Sequence, residues 1–363
     1  MFSTMTDTTS LQEKREQIKR QLATGEYTPL VDAVVYDAGR LVQKLTRNAR
    51  PMSFSFSTLV VVLAILTIGL LVSIPLGELN PTLILRSMTG SVLLYVSLIV
   101  LKTHHGIFTS HLREHIVDAI ESGDDLADLQ HWLSLTADRR AATLFAVAFG
   151  VLSTILGVFF FFTLSGSFVG FGPSFSTMLT LFLYGAGFYN VILFFNLPSR
   201  LGRYRFKLYA TDPSSSELVH HLSSMFMTFL YLFALLAALA TFLMAALGLL
   251  VSSFMIPVLA WWVFIAALFA VIQYSLSKII TTAKYKTFSE VQAKIERLQA
   301  DANLAEKETR EALNWLMEYH DRIKSTRSTA LDLRALLSFV NSLLLPLVAF
   351  LLANLGTIVA LFR

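Results

Sequence analysis

No cysteine occurs at any of the 363 positions of this chain. Disulfides, thiolate metal sites and a cysteine nucleophile are excluded, and cysteine usage says nothing of the redox compartment. Charge is scarce too: Asp, Glu, Lys and Arg make up 15% of residues, against roughly 25% in soluble domains. There is no Asn-x-Ser/Thr acceptor, since Asn80 is followed by Pro81. That absence fits a bacterial inner membrane and leaves a plasma membrane open. The first fifty or so residues are polar and of mixed charge, unlike a cleavable signal peptide. Glycine and proline are missing from Val258 to Leu345. The usual helix breakers are therefore absent from a stretch that passes from apolar to charged and back to apolar.

Apolar residues fill the space these absences leave, at 55% of the chain. Runs of this kind read as membrane spans. Seven are expected: about 54–75, 82–101, 141–164, 175–197, 225–251, 254–279 and 336–362. Basic residues segregate between the links. Lys14, Arg15, Lys19, Arg20, Arg40, Lys44, Arg47 and Arg50 precede the first span, and eleven more lie between Lys278 and Arg334. The opposite links, 76–81, 165–174 and 252–253, carry no Lys or Arg. The positive-inside rule places the N-terminus inside and Arg363 outside. The net charge of +4 is thus an orientation signal. The basic residues alternate with acids and form no dense run, so no nucleic-acid partner is expected.

The expected fold class is all-α: a polytopic membrane protein with seven transmembrane helices and a helical cytoplasmic bundle. Residues 1–53 form cytoplasmic N-terminal helices. Residues 54–280 hold spans one to six, with cytoplasmic connectors 102–140 and 198–224. Residues 281–335 form a heptad hairpin, and 336–363 the last span. Thr28 caps a helix entered by Pro29, Gly123 separates two short helices, and Asp212-Pro213 opens the helix of span five. Phe288, Val291, Ile295, Leu298, Ala302, Ala305, Thr309, Ala312, Leu316, Tyr319 and Ile323 alternate steps of three and four, a coiled-coil seam. A straight helix over 281–325 would reach about 65 Å from the bilayer. The ten or so residues left before the last span return only about 35 Å. The seam must fold back, with a turn expected near Asp301–Asn303 and a second near Ser325–Thr329.

The last span carries the most pointed pattern. Ser338, Ser342, Pro346, Ala349, Ala353, Gly356, Thr357 and Ala360 share one stripe about 100° wide, flanked by Asn341 and Asn354. Small residues there serve close helix packing or the wall of a pore. Similar stripes occur at Ala146, Gly150, Ser153 and Gly157, and at Ala234, Ala238, Thr241 and Ala245. Arg86, about a turn inside span two, is a cation at an outer vestibule or a partner of Glu78. Asn190, Gln273 and Tyr274 read as interhelical hydrogen-bonders, and Trp261 and Trp262 as belt residues.

Chemistry-bearing motifs are few. His111-Leu-Arg-Glu114-His115 matches H-x-x-E-H, and His104 lies on the same helical face seven residues earlier. These three histidines are weak metal candidates, since beyond Glu114 no further acidic ligand is obvious in a suitable helical context; a solvated helix face is the default. His220-His221 reads as a polar run. Val169-Gly170-Phe171-Gly172 sits in a link of about ten residues, too short for a re-entrant filter. No catalytic residue and no cofactor are expected, and the chain does not read as an enzyme.

Seven spans, an inside N-terminus, an outside C-terminus, helices projecting into a cytoplasmic bundle and a last span kinkable at Pro346 together resemble, in layout, the insect odorant and gustatory receptor-like channels. The resemblance is architectural and covers the whole chain. It implies a homotetrameric cation channel whose last helix lines the pore. Expected partners are the lipid bilayer, further copies of the chain, and a small-molecule ligand or a soluble cytoplasmic protein. A membrane scaffold or sensor working through the bundle is the alternative, and a small-molecule transporter the third.

Overall fold

Side-chain caps set the first two apolar helices. Ser53 accepts a hydrogen bond from the Phe56 amide and opens α3 (Phe54–Ser73). Asn80 accepts from the Leu83 amide at 2.7 Å, with Pro81 in the first turn of α4 (Pro81–His111). Both follow the rule that a short polar side chain satisfies the free N–H groups of a helix start. Between them Gly77 takes a left-handed φ of 65°, a conformation that costs glycine nothing. The computed structural model describes residues 2–46, 52–165, 171–210, 212–246, 252–301, 307–326 and 341.

The remaining helices are α1 (Phe2–Thr24), α2 (Leu30–Thr46), α5 (Val117–Ala119), α6 (Gly123–Thr136), α7 (Arg139–Ser165), α8 (Phe171–Leu201), α9 (Glu217–Ala246), α10 (Ser252–Asp301) and α11 (Lys307–Ser325). A π-helical turn, Leu112–Ile116, continues α4 into α5. Among the described residues the regular structure is helical, joined by turns and loops, with one isolated antiparallel bridge, Ile120 to Phe206. Among the described residues six helices are long and apolar enough to cross a membrane, within 54–73, 83–119, 139–156, 175–201, 217–243 and 261–300. This is a multi-pass membrane protein. The expected seventh span falls outside the described residues, except for Asn341, which is exposed.

Small residues set the closest helix pair. A Cβ on Gly185 would stand 3.0 Å from the Cα of Ala146, and one on Gly150 would stand 3.2 Å from the Phe182 amide nitrogen. Ala142 and Ala146 are fully buried. The stripe on α7 is therefore a packing face against α8, where absent side chains let backbones approach.

The polar connectors assemble on one end of this bundle. Ile18, Leu22, Leu112, Ile116, Ile120, Leu126, Leu129, Trp132 and Phe206 join the membrane helices in one continuous core. Ser122 caps α6 through the amides of Asp124 and Asp125. The segment after α8 is strapped down: Lys207 donates to the Ala119 carbonyl at 2.8 Å, Glu121 to the Arg205 carbonyl at 2.9 Å, and Arg200 pairs with Asp128 at 3.1 Å. Thr28 does not act as the expected cap. Its hydroxyl donates back to the Gly25 carbonyl, and Pro29 receives the first bond of α2, from the Ala33 amide at 3.0 Å.

Helix α10 runs unbroken through 50 residues, as a stretch without glycine or proline beyond Val258 allows. It then meets α11 in antiparallel packing. Phe288 lies 4.2 Å from His320 between ring centroids, and Lys284 donates to the carbonyls of Lys324 and Thr326 at 3.0 and 2.7 Å. Val291, Ile295, Leu316 and Ile323 are buried between the two helices. Ala312, a member of the sequence seam, is exposed, and Leu313 packs in its place. A chain that turns back enters its second helix with a new phase, so one heptad frame does not carry through.

Candidate functional site

Helices α4, α8, α9 and α10 enclose a pocket of about 290 Å³. Leu93, Ser97 and Leu101 come from α4; Tyr184, Gly187, Phe188 and Val191 from α8; Phe233, Leu236, Ala237, Ala240 and Thr241 from α9; Trp261 from α10. The lining is apolar with a few polar groups, the usual make-up of a small-molecule site. Most of those groups are already engaged. Ser97 donates to the Leu93 carbonyl at 2.7 Å and lies 3.4 Å from the Tyr184 hydroxyl, and Thr241 donates to the Ala237 carbonyl at 2.7 Å. The indole N–H of Trp261 is the exception: it is buried and has no hydrogen-bond partner among the described residues. Its ring stacks on Phe233 at 4.8 Å, which fixes the direction of that donor. Trp262 is buried in the core, so both tryptophan rings pack against protein.

A second, smaller cavity of about 50 Å³ adjoins the first, and Leu101, Gly187 and Val191 line both. Its walls are mostly apolar as well, but Asp32, His104, His105, Thr109, Asn190 and Thr136 contribute. Two buried atoms on this wall lack partners among the described residues, Nε2 of His104 and Oδ1 of Asn190. Asn190 spends its amide N–H on the Ala186 carbonyl of its own helix at 3.2 Å. It is therefore not the interhelical hydrogen-bonder expected from sequence. Space for a few water-sized molecules beside unpaired polar atoms is what an internal hydrated site requires. Asp32, 1% exposed, is held by Lys102 at 2.9 Å. The same ammonium sits 5.3 and 5.4 Å from the Tyr36 and Phe54 ring centroids, so ion pairing and cation–π attraction share one cation.

The two cavities meet where Leu101 rests on Gly187. A Cβ on Gly187 would come within 2.6 Å of Leu101 Cδ1. The glycine lets the leucine lie flat, and the leucine tip stands between the two chambers.

The residues singled out from sequence scatter. Ser338, Ser342, Pro346, Ala349, Ala353, Asn354, Gly356, Thr357 and Ala360 lie outside the described residues. Arg86 is exposed on the second turn of α4. Tyr274 faces outward at 73% exposure, while Gln273 is buried with its amide 3.9 Å from Met227 Sδ. His104 does face α9, as His111 does. Seven residues along a helix put it about 10 Å away, in a cage of Phe108, Phe194 and Phe229. The pocket itself was not legible in sequence. Its lining belongs to four helices, and only the lone small residues on α8 and α9 hinted at space. No protein-family model, curated protein or solved structure matches this chain.

Proposed function

We propose that this chain is a membrane-embedded sensor for a small, mostly apolar molecule. The observation that carries the reading is the pocket of about 290 Å³ with one unpaired donor, Trp261, on the helix that continues unbroken to Val291 and Ile295 of the hairpin. A ligand with a flat apolar body and one hydrogen-bond acceptor complements that lining. Occupancy biases the α10–α11 pair because the pocket wall and the hairpin share a rigid element, and a ligand acts through differential contacts with two states. The test is binding of the fluorescent probe 1-aminoanthracene to the full chain in lipid nanodiscs. Saturable binding that Ala237→Trp or Ala240→Trp abolishes, with the fold retained by circular dichroism, supports the reading. Binding indifferent to both substitutions sinks it.

The effector step is a second reading, favoured by the stripe of small and hydroxyl-bearing residues in the last span. In it the chain assembles as a homo-oligomer, a tetramer by its layout, and the last helix lines a cation pore. Single cysteines at Ser342 and Ala349 are then modified by water-soluble thiol reagents, and proteoliposomes pass cations. Inaccessible cysteines together with tight liposomes leave the sensor acting through its cytoplasmic helices on a soluble partner.

A further inference from the structure

The π turn at the end of α4 carries a cluster that the pocket does not use. His115 and His221 stack with ring centroids 3.5 Å apart and planes 7° from parallel. His111 lies 6.1 Å from His115 and 5.9 Å from His221 between centroids. Glu217, one turn before His221 on α9, reaches His221 Nε2 at 3.3 Å. His115, Glu217 and His221 each offer one ligand atom, and the three atoms lie within 4.8 Å of one another. We propose that these residues, joined by His111, form a binding site for a divalent transition-metal ion of the zinc class.

Four observations support it. The donor set is imidazole nitrogen plus carboxylate oxygen, the set that zinc, copper and nickel prefer and that magnesium and calcium do not. The donors come from two helices, and bonds of about 2.1 Å would bring them to roughly 3.4 Å from one another, within the range of side-chain rotation. His111 Nδ1 lies 3.0 Å from the Ile107 carbonyl. A carbonyl only accepts, so Nδ1 carries the proton and Nε2 keeps its lone pair. A metal-bound histidine is oriented in the same way, through its second nitrogen. Finally, the ligands border solvent, with 22% of the His221 side chain and 72% of the Glu217 side chain exposed, so an ion can enter. The π turn (Leu112–Ile116) carries His115 and begins directly after His111, and such turns recur at functional sites.

The site is a clamp and not a hydrolytic centre. Glu114, the acid within H-x-x-E-H, is bound to Arg113 at 2.8 Å and to Ser110 at 3.3 Å. The carboxylate at the cluster is Glu217 instead. An ion there ties the end of α4 to the start of α9, two of the four helices that line the pocket.

The experiment uses the full chain in nanodiscs, purified on a tag without histidine and stripped with a chelator. Zn²⁺ titrated by calorimetry should bind once per chain. His115→Ala and His221→Ala should each weaken it on the order of 100-fold, and Glu217→Gln on the order of 10-fold. His131→Ala, at an exposed histidine on α6, should leave it unchanged. Equal affinity in wild type and the His115→Ala/His221→Ala pair overturns the site. A second readout needs no variant: Cu²⁺ bound to the wild-type chain should show coupling to at least two imidazole nitrogens in its paramagnetic resonance spectrum. A spectrum of oxygen ligands alone also overturns it.

Discussion

Gly185 and Gly187 are two residues apart on α8 and meet different neighbours. A Cβ on Gly185 strikes the backbone of α7, 3.0 Å from Ala146 Cα and 3.2 Å from its carbonyl oxygen. Backbone cannot step aside, so Gly185→Ala should destabilise by about 1–3 kcal/mol, seen as a lower Tm in detergent. A Cβ on Gly187 strikes only the tip of Leu101, which rotates. Gly187→Ala should cost under about 1 kcal/mol. By moving the partition between the chambers it should still change probe affinity several-fold. An unchanged affinity would show that the leucine does not divide them. The Asp32–Lys102 pair is asymmetric in the same sense: Asp32 is the deeper partner, its side chain 2% exposed against 30% for Lys102. Lys102→Met abandons a buried carboxylate and should cost about 3–5 kcal/mol. Asp32→Asn leaves the cation on Tyr36 and Phe54 and should cost about 1–2 kcal/mol. Thermal unfolding of both variants checks the order, and the double variant should recover part of the loss.

Between elements, the strap after α8 has its own signature. The Tyr204 hydroxyl donates to Asp128 Oδ2 at 2.7 Å. Burial first, then the hydrogen bond to the charged carboxylate, pushes the phenol above its usual range. The folded state thus holds this proton more tightly than the unfolded one. The contribution is whole below the ordinary tyrosine value of about 10 and is lost as pH rises beyond it. Tyr204→Phe should lower Tm at pH 8 by the equivalent of about 1–2 kcal/mol, and the gap to wild type should narrow from about pH 10 upward. A gap independent of pH would mean that the hydrogen bond carries no such linkage. The α7–α8 and α10–α11 contacts show why small-residue stripes and heptads need different treatment. Ala146 and Gly150 were legible as a stripe because any close helix pair needs them. Ala312 was misread as seam because its phase depends on where the chain turns back, and residue spacing alone does not locate that turn.

For the whole molecule, the reach of a charged helix against a short return segment demands a fold-back, and the packing of Phe288 on His320 has that form. With no native cysteine, Phe288→Cys and His320→Cys introduced together should cross-link under mild oxidation. A single straight helix would hold them about 48 Å apart and give no intramolecular product. The charge asymmetry makes a separate prediction: a cysteine at Glu13 should be shielded from impermeant reagents in intact cells, and one at Asn80 should be labelled.

Composition and order along the chain decided much on their own. Long apolar runs with no polar backbone partner must form helices in a bilayer, and an absence of glycine and proline lets a span continue as a charged helix. The helix boundary near Gly123 was legible for a similarly local reason. What only the tertiary structure decided is every pairing across helices. His221 looked like part of a polar run until α9 set it against His115. Trp261 looked like an interfacial anchor until Phe233 of α9 and Phe188 of α8 were set against its ring. Periodicity reports which face of a helix is apolar, but the partner of that face, and the depth at which two faces meet, is fixed by packing between segments a hundred residues apart.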